Sequence, residues 1–389
     1  MTESAEQRLR RYRRTMEGLL GVPATEGNVV DVLHNGDEIF PSMLAAIREA
    51  TSTIDFATYV YWTGDIADEF ANSLSERAQA GVRVRILLDA VGAQPMNREL
   101  IGRMEGAGCL IEFFREPTTW KVWETNHRTH RKLLICDEAV AFTGGVGIAE
   151  EWCGDARHPG EWRDTHVRLR GPAVDGLRAA FVSNWAETGH ELYGDADRFP
   201  EQPQDGGVVV QVVQCPAQIG WSDMATTVAA LIMLAEERLR VTSAYFVPDD
   251  RFRELLCAAS RRGVEVEVLL PGEHADKRIV QIAGEESYEM LLEDGVRVHR
   301  YQPSMMHAKI VTVDGLVTTV GSANFDQRSL GINEEVNIVA FDQATTQIFD
   351  HHFDQDQARS KPVQLGQWRR RGPVQRIKET VSDAFDEQL

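Results

Sequence analysis

Two stretches of the chain carry the same hydrophobic pattern. Residues 81–89, GVRVRILLD, and 263–271, GVEVEVLLP, match position for position in Gly, Val and alternating apolar residues. Short, glycine-led and rich in branched side chains, both read as buried strands. Upstream lie IADEFANSLSERAQA and DDRFRELLCAASRR, with apolar residues at helical spacing, and before those the strand-like IDFATYVYW and LRVTSAYFV. Downstream, each copy has a further helical stretch and then a glycine-led strand, GCLIEFF from 108 and GVRVHRY from 295. The self-similarity predicts an internal repeat. Strands alternating with helices predict an α/β fold with right-handed crossovers and a mixed or largely parallel sheet covered by helices.

Between the copies, ADRFPEQPQDGG (196–207) has the composition of a linker, which puts the boundary near residue 200. The expected division is a basic N-terminal segment (1–28), a first lobe (29–200), a second lobe (201–360) and a basic C-terminal segment with a helix (361–389). Arg8, Arg10, Arg11, Arg13 and Arg14 make the first helix candidate basic, and WRRRG at 368–372 is a second cluster. A basic helix can lie on an anionic lipid surface, although charge runs more often form plain solvated faces.

The motifs that follow turn the repeat into chemistry. THRKLLICD gives His130, Lys132 and Asp137; MHAKIVTVD gives His307, Lys309 and Asp314 at identical spacing. Seven positions after each aspartate comes a small-residue turn, GGVG at 144–147 and GSAN at 321–324. Residues two apart on a strand share a face, so each histidine points the same way as its lysine. If the copies pack as pseudo-twofold mates, two imidazoles meet in one site with two ammonium groups beside them.

Such a site suits displacement at a phosphodiester. One neutral imidazole attacks phosphorus to form a phosphohistidine while a protonated one opposite gives its proton to the leaving alcohol. Asp164 in WRDTHVRLRG and Glu335 in NEEVNIVAFD stand in matching places, each at the start of the next strand, and can set the two protonation states. Lys132, Lys309 and Asn324 would hold the nonbridging phosphate oxygens. Asp137 and Asp314 end their strands and read as structural. No metal and no cofactor is required. His351 and His352 have no third ligand at a suitable spacing and read as residues of an exposed helix rather than a metal site.

These residues give the chain its resemblance to the phospholipase D superfamily, and within it to bacterial cardiolipin synthases without transmembrane helices. The resemblance runs from about Val29 to about Arg371 and rests on the duplicated motif and its flanks, NHRTHRK, WRDTHVRLRGPAV and GSANFDQRSLGINEEVNIV. It implies a fold of two pseudo-symmetric lobes, each a mixed β-sheet flanked by helices, with one active site between them. It also implies transfer of a phosphatidyl group between phospholipids, typically from phosphatidylglycerol, with His130 as nucleophile and His307 as general acid. One departure stands out: the first copy has Gly147 where the family commonly has the asparagine matched by Asn324.

Composition narrows the alternatives. Sixty acidic against 41 basic residues give a formal charge of -19, which opposes a nuclease and any general affinity for nucleic acid. Five cysteines form no CxxC pair, which points to a reducing compartment. The longest apolar run, VAALIMLA at 228–235, is too short to span a bilayer. The expectation is a cytoplasmic enzyme, peripheral on the inner face of the cell membrane, with a phosphatidylglycerol-like substrate and an anionic membrane surface as partners. Trp120 and Trp123, just before the first motif, could rest at the lipid interface. A hydrolytic phospholipase would use the same residues with water as acceptor; a noncatalytic lipid-binding protein would be expected to have lost one of them.

Overall fold

The computed structural model describes residues 3–116, 127–190, 199–216 and 221–370. A first helix, α1 (Ala5–Leu20), precedes the repeat. The first copy runs β1 (Thr25–His34), α2 (Asn35–Glu49), β2 (Thr53–Thr58), α3 (Asp65–Gln79), β3 (Arg83–Asp89), α4 (Arg98–Ala107), β4 (Leu110–Phe114), β5 (Leu133–Cys136), β6 (Val140–Gly144), β7 (Thr165–Arg170) and α5 (Ala173–Glu187). The second opens with β8 (Val208–Cys215), α6 (Asp223–Leu234), β9 (Arg238–Thr242), β10 (Phe246–Val247), α7 (Asp250–Arg261), β11 (Glu265–Pro271), α8 (Arg278–Glu285), α9 (Tyr288–Glu293) and β12 (Arg297–Tyr301). It closes with β13 (Ile310–Val313), β14 (Val317–Gly321), β15 (Phe325–Asp326), α10 (Gln327–Gly331), β16 (Glu335–Phe341), α11 (Gln343–Ala358), β17 (Ser360–Pro362) and α12 (Leu365–Arg369).

Fifteen strands form one sheet whose centre is the antiparallel pair β1 and β8. Outward from that pair, one lobe reads β1, β7, β6, β5, β2, β3, β4 and the other β8, β16, β14, β13, β9, β11, β12, so seven strands of each lobe correspond and β17, beyond β12, is the fifteenth. The outer three of each set are parallel and joined by helices; the inner ones are antiparallel. The sheet is therefore mixed, and the alternation of strand and helix falls where the repeated pattern puts it. A buried ion pair marks the same place in both lobes with its signs exchanged. Arg85 on β3 pairs with Asp55 on β2 at 2.7 Å, and Arg240 on β9 pairs with Glu267 on β11 at 2.9 Å.

The lobes share a core. Leu177 and Phe181 of α5 belong to the same apolar cluster as Ile310, Ile338 and Phe349 of the second lobe. Burying that surface by association of the lobes holds the seam closed. Among the described residues no helix is long and apolar enough to cross a membrane.

Several elements depart from the sequence reading. β1 starts at Thr25, and β17 pairs with β12 while Trp368 of α12 packs on Tyr288, so residues at both expected boundaries belong to the lobes. Helix α1 docks on the second lobe through the buried Tyr12 and Met16, and its arginines face glutamates: Arg8 with Glu237, Arg11 with Glu236 and Glu3, Arg13 with Glu17 and Glu26. Those charges are committed to the protein itself. His352 is also not on a free face: its ring lies 4.3 Å from that of His34 across the seam, because Phe349 and Phe353 turn this side of α11 toward the sheet. Only His351 is exposed. Trp120, Trp123 and residues 196–198 of the expected linker lie outside the described residues, as does 371–372 of the C-terminal basic cluster.

Candidate active site

The histidine and lysine of each motif precede the strand instead of standing on it: β5 begins after Lys132 and β13 after Lys309. The lead-ins are extended because they bond to the opposite lobe. The His130 N–H donates to the Glu334 carbonyl at 2.9 Å and the Glu334 N–H to the Arg128 carbonyl at 2.9 Å. In the mirror position, the His307 N–H donates to the Arg163 carbonyl at 2.7 Å and the Arg163 N–H to the Met305 carbonyl at 2.9 Å. Each motif thus extends the other lobe's edge just before its carboxylate.

That crossing decides which carboxylate serves which histidine. Glu335 of the second lobe lies 3.0 Å from Nδ1 of His130, and Asp164 of the first lies 2.7 Å from Nδ1 of His307. Sequence spacing brings all four residues into view but gives no sign that they pair across lobes. With Nδ1 held by a carboxylate, Nε2 of each ring is the nitrogen no carboxylate engages, and that of His307 lies 3.2 Å from the Lys309 ammonium. Lys132 donates to its neighbour His130's carbonyl at 2.9 Å, and Lys309 donates to the His307 carbonyl and stands 2.9 Å from His307 Nδ1. Both lysines are buried.

The small-residue turns support the carboxylates. Ser322 donates its hydroxyl to Glu335, while the indole of Trp152 donates to Asp164 at 2.9 Å. At Gly145, the counterpart of Ser322, a Cβ would stand 2.2 Å from Asp164 Oδ1, so glycine is what lets that carboxylate in. At Gly147 a Cβ would meet the Val60 side chain at 2.6 Å and the Trp152 ring at 3.3 Å. An asparagine therefore has no room here, and Asn324 has no partner amide from the first lobe. Two further residues escape the sequence reading: His166 and Asn337, each two positions after its carboxylate, accept the backbone N–H of Val146 and Ala323 at 3.4 and 3.2 Å. They fix the turns. The matched offset from Asp164 and Glu335 was the signal that could have found them.

Burial dominates the electrostatics. It lowers His130 to about 4, against the pull of Glu335, and lowers His307 to about 4 with help from Lys309 and against Asp164. Burial likewise brings Lys132 to about 7 and Lys309 to about 8. It opposes ionisation of Asp164 and Glu335 too, but the histidine contacts and the lysine charges outweigh it and hold both below the usual carboxylate range. Near neutral pH both imidazoles are thus neutral, and an arriving phosphate anion favours protonation of a lysine or a histidine beside it.

The rings differ in surroundings. His307 is packed by Trp152 and Trp162, centroids 5.0 and 5.3 Å away, whereas His130 touches Tyr59 at 5.2 Å and lines a cavity of about 280 Å³. Asn324, Tyr245 and Lys277 line the same cavity. Asp137 and Asp314 lie away from it, in the hairpin turns with φ of 51° and 54°. Asp137 accepts the backbone N–H groups of Thr51, Ser52 and Thr53 at 2.8, 2.7 and 3.0 Å; Asp314 accepts those of Glu236, Glu237 and Arg238 at 3.0, 2.8 and 2.8 Å. Each clamps the start of the neighbouring strand, β2 or β9.

Fold and site together define a two-lobed phosphodiester-transfer architecture, and comparison with known proteins agrees. A family profile described as "Cardiolipin synthase, PLD-like domain" matches residues 43–152 and 228–357. The chain is 33% identical over 364 residues to the probable cardiolipin synthase YwiE of Bacillus subtilis, covering 93% of this chain and 72% of that one. It is 32% identical over 366 residues to a cardiolipin synthase of Geobacillus kaustophilus, covering 92% and 72%. The crystal structure of a phosphatidylserine synthase from Haemophilus influenzae superposes with a TM-score of 0.69 at 14% identity, covering 97% of both chains, which speaks for the fold. The chain belongs to the phospholipase D superfamily, in its cardiolipin synthase-like branch, and is an enzyme of that family.

Proposed function

We propose that this enzyme is a phosphatidyl transferase that moves a phosphatidyl group from phosphatidylglycerol to the glycerol head of a second phosphatidylglycerol. The observation that carries the reading is the crossed pairing of His130 with Glu335 and His307 with Asp164. His130 is the better placed nucleophile because it lines the cavity. Its Nε2 attacks phosphorus, the P–O bond to the departing glycerol breaks, and His307 supplies the proton that glycerol carries away. The acceptor hydroxyl then gives its proton to His307 while its oxygen displaces His130 from phosphorus. Lys132, Lys309 and the amide of Asn324 hold the nonbridging oxygens through both steps.

The bilayer contact we assign to the cavity mouth on the second lobe. There Ile279 is 60% exposed beside the exposed Lys277 and Arg278, a mixture of apolar and cationic side chains suited to an anionic surface. Peripheral attachment at the cytoplasmic face fits this arrangement. The test is mass spectrometry of lipids after incubating the protein with phosphatidylglycerol vesicles, beside His130→Ala and His307→Ala. Cardiolipin formed only by the unaltered protein is the expected result; phosphatidic acid alone would make water the acceptor, and no lipid product would overturn the reading.

A further inference from the structure

The cavity beside His130 carries more hydrogen-bond acceptors than a phosphate site calls for. Asn324, only 4% exposed, leaves its Oδ1 without a hydrogen-bond partner, and so does Asn333. Both line the cavity. Asp326 lines it as well, using one oxygen to accept the Ser329 N–H at 2.8 Å. Buried acceptors left unpaired are costly, so a ligand that displaces water from this cavity has to donate to them in its place. A phosphate cannot do so, since its own oxygens are acceptors. What these three groups call for is a ligand that donates.

We infer that Asp326 and Asn333, together with the Oδ1 of Asn324, are the residues that read the hydroxyl groups of the acceptor and favour a polyhydric alcohol over a simple alcohol or water. The inference rests on the transferase reading above. A monohydric alcohol offers one hydrogen, which its reaction uses; a glycerol unit has a second hydroxyl next to the reacting one. Burial raises Asp326 to about 6, with Glu335 adding to the rise and Ser329, Arg328 and Lys277 opposing it, so it is largely ionised and an acceptor at neutral pH. An ammonium-bearing acceptor would also donate, but it would share the cavity with Lys277, whose ammonium sits 5.1 Å from the Tyr245 ring centroid, and with Arg128. A neutral polyol meets no such repulsion.

The experiment is a competition for one intermediate. Phosphatidylglycerol vesicles are offered with equal concentrations of deuterated glycerol and 1-propanol, or deuterated glycerol and ethanolamine, and deuterium-labelled phosphatidylglycerol is weighed against phosphatidylpropanol or phosphatidylethanolamine by mass spectrometry. The product ratio does not depend on how much active enzyme is present. The variants are Asp326→Ser, whose hydroxyl still caps α10 but is too short to reach the cavity, and Asn333→Ala, each checked by thermal melting. Glycerol is expected to be favoured over 1-propanol by about tenfold or more in the unaltered protein, the scale of one lost hydrogen bond to a buried group, and by several-fold less in either variant. An unchanged ratio in folded variants would overturn the assignment, as would a preference for ethanolamine or no preference at all. Should Asp326→Ser fail to fold, Asn333→Ala decides alone. If the unaltered protein consumes no phosphatidylglycerol, the transferase reading itself fails.

Discussion

Replacing Asp164 with asparagine separates the roles of the two histidines. The side chain keeps its shape but loses the charge held 2.7 Å from His307 Nδ1 in a buried setting. With charge centres about 4 Å apart and an effective dielectric constant of about 20, a carboxylate stabilises an imidazolium by about 4 kcal/mol. That sets a ceiling of about a thousandfold on the rate loss, within the usual range for general acid catalysis. The loss is specific to leaving groups that need a proton. Turnover of an alkyl phosphodiester is expected to fall a hundredfold or more, while a p-nitrophenyl diester, whose phenolate departs unprotonated, changes only a few-fold. Glu335→Gln acts on His130 and should slow both substrates alike. Single-turnover rates of leaving-group release from the two diesters, measured for both variants ahead of the shared second step in which His307 takes the acceptor's proton, give the answer. Equal losses on both substrates in Asp164→Asn would refute the assignment of His307 as the acid.

Other expected outcomes follow from the packing and the charges. Gly145→Ser puts a Cβ 2.2 Å from Asp164 Oδ1 and should reproduce much of the Asp164→Asn defect in alkyl diester turnover while far-ultraviolet circular dichroism stays native. Gly147→Asn places the new side chain against Val60 and Trp152, so a lowered melting temperature with no gain in rate is expected; faster turnover would show that a second amide can be seated there. Acid should loosen the fold early. His130, His166, His307 and His352 are lowered to about 4, 3, 4 and 4, chiefly by burial. Unfolding lets each bind a proton below its ordinary value near 6.5, so stability is complete above that and falls toward the folded values, by roughly 1.4 kcal/mol per pH unit for each fully buried histidine. Urea titrations at pH 7.5, 6.5 and 5.5 check this, and a midpoint independent of pH would contradict it.

The parts of the fold written locally were legible in the sequence. GVRVRILLD and GVEVEVLLP announce matched strands because apolar alternation and a leading glycine are properties of consecutive residues, and the two His-Lys-Asp motifs could be seen for the same reason. What escaped depends on residues far apart in the chain. The exchange of Glu335 and Asp164 between lobes follows from pairing at β1 and β8, which no local pattern encodes. Gly147 looked like a missing ligand until Val60 and Trp152 were seen to fill its space. His352 looked solvated because its neighbour His34 lies on the opposite side of the seam. Arg8 and Arg11 of α1 read as part of a basic face because Glu237 and Glu236, which meet them, stand more than two hundred positions downstream.

The exchanged carboxylates make the two halves of this protein obligate complements. A fragment ending before β8 would carry His130 with no acid behind it, and a fragment starting there would carry His307 in the same condition. Neither alone holds a complete histidine–carboxylate pair, yet two separately made fragments that assemble along β1 and β8 would hold both pairs. If the paired residues act as proposed, damage to one lobe silences chemistry housed in the other, and two chains crippled in opposite lobes restore each other only by trading whole halves.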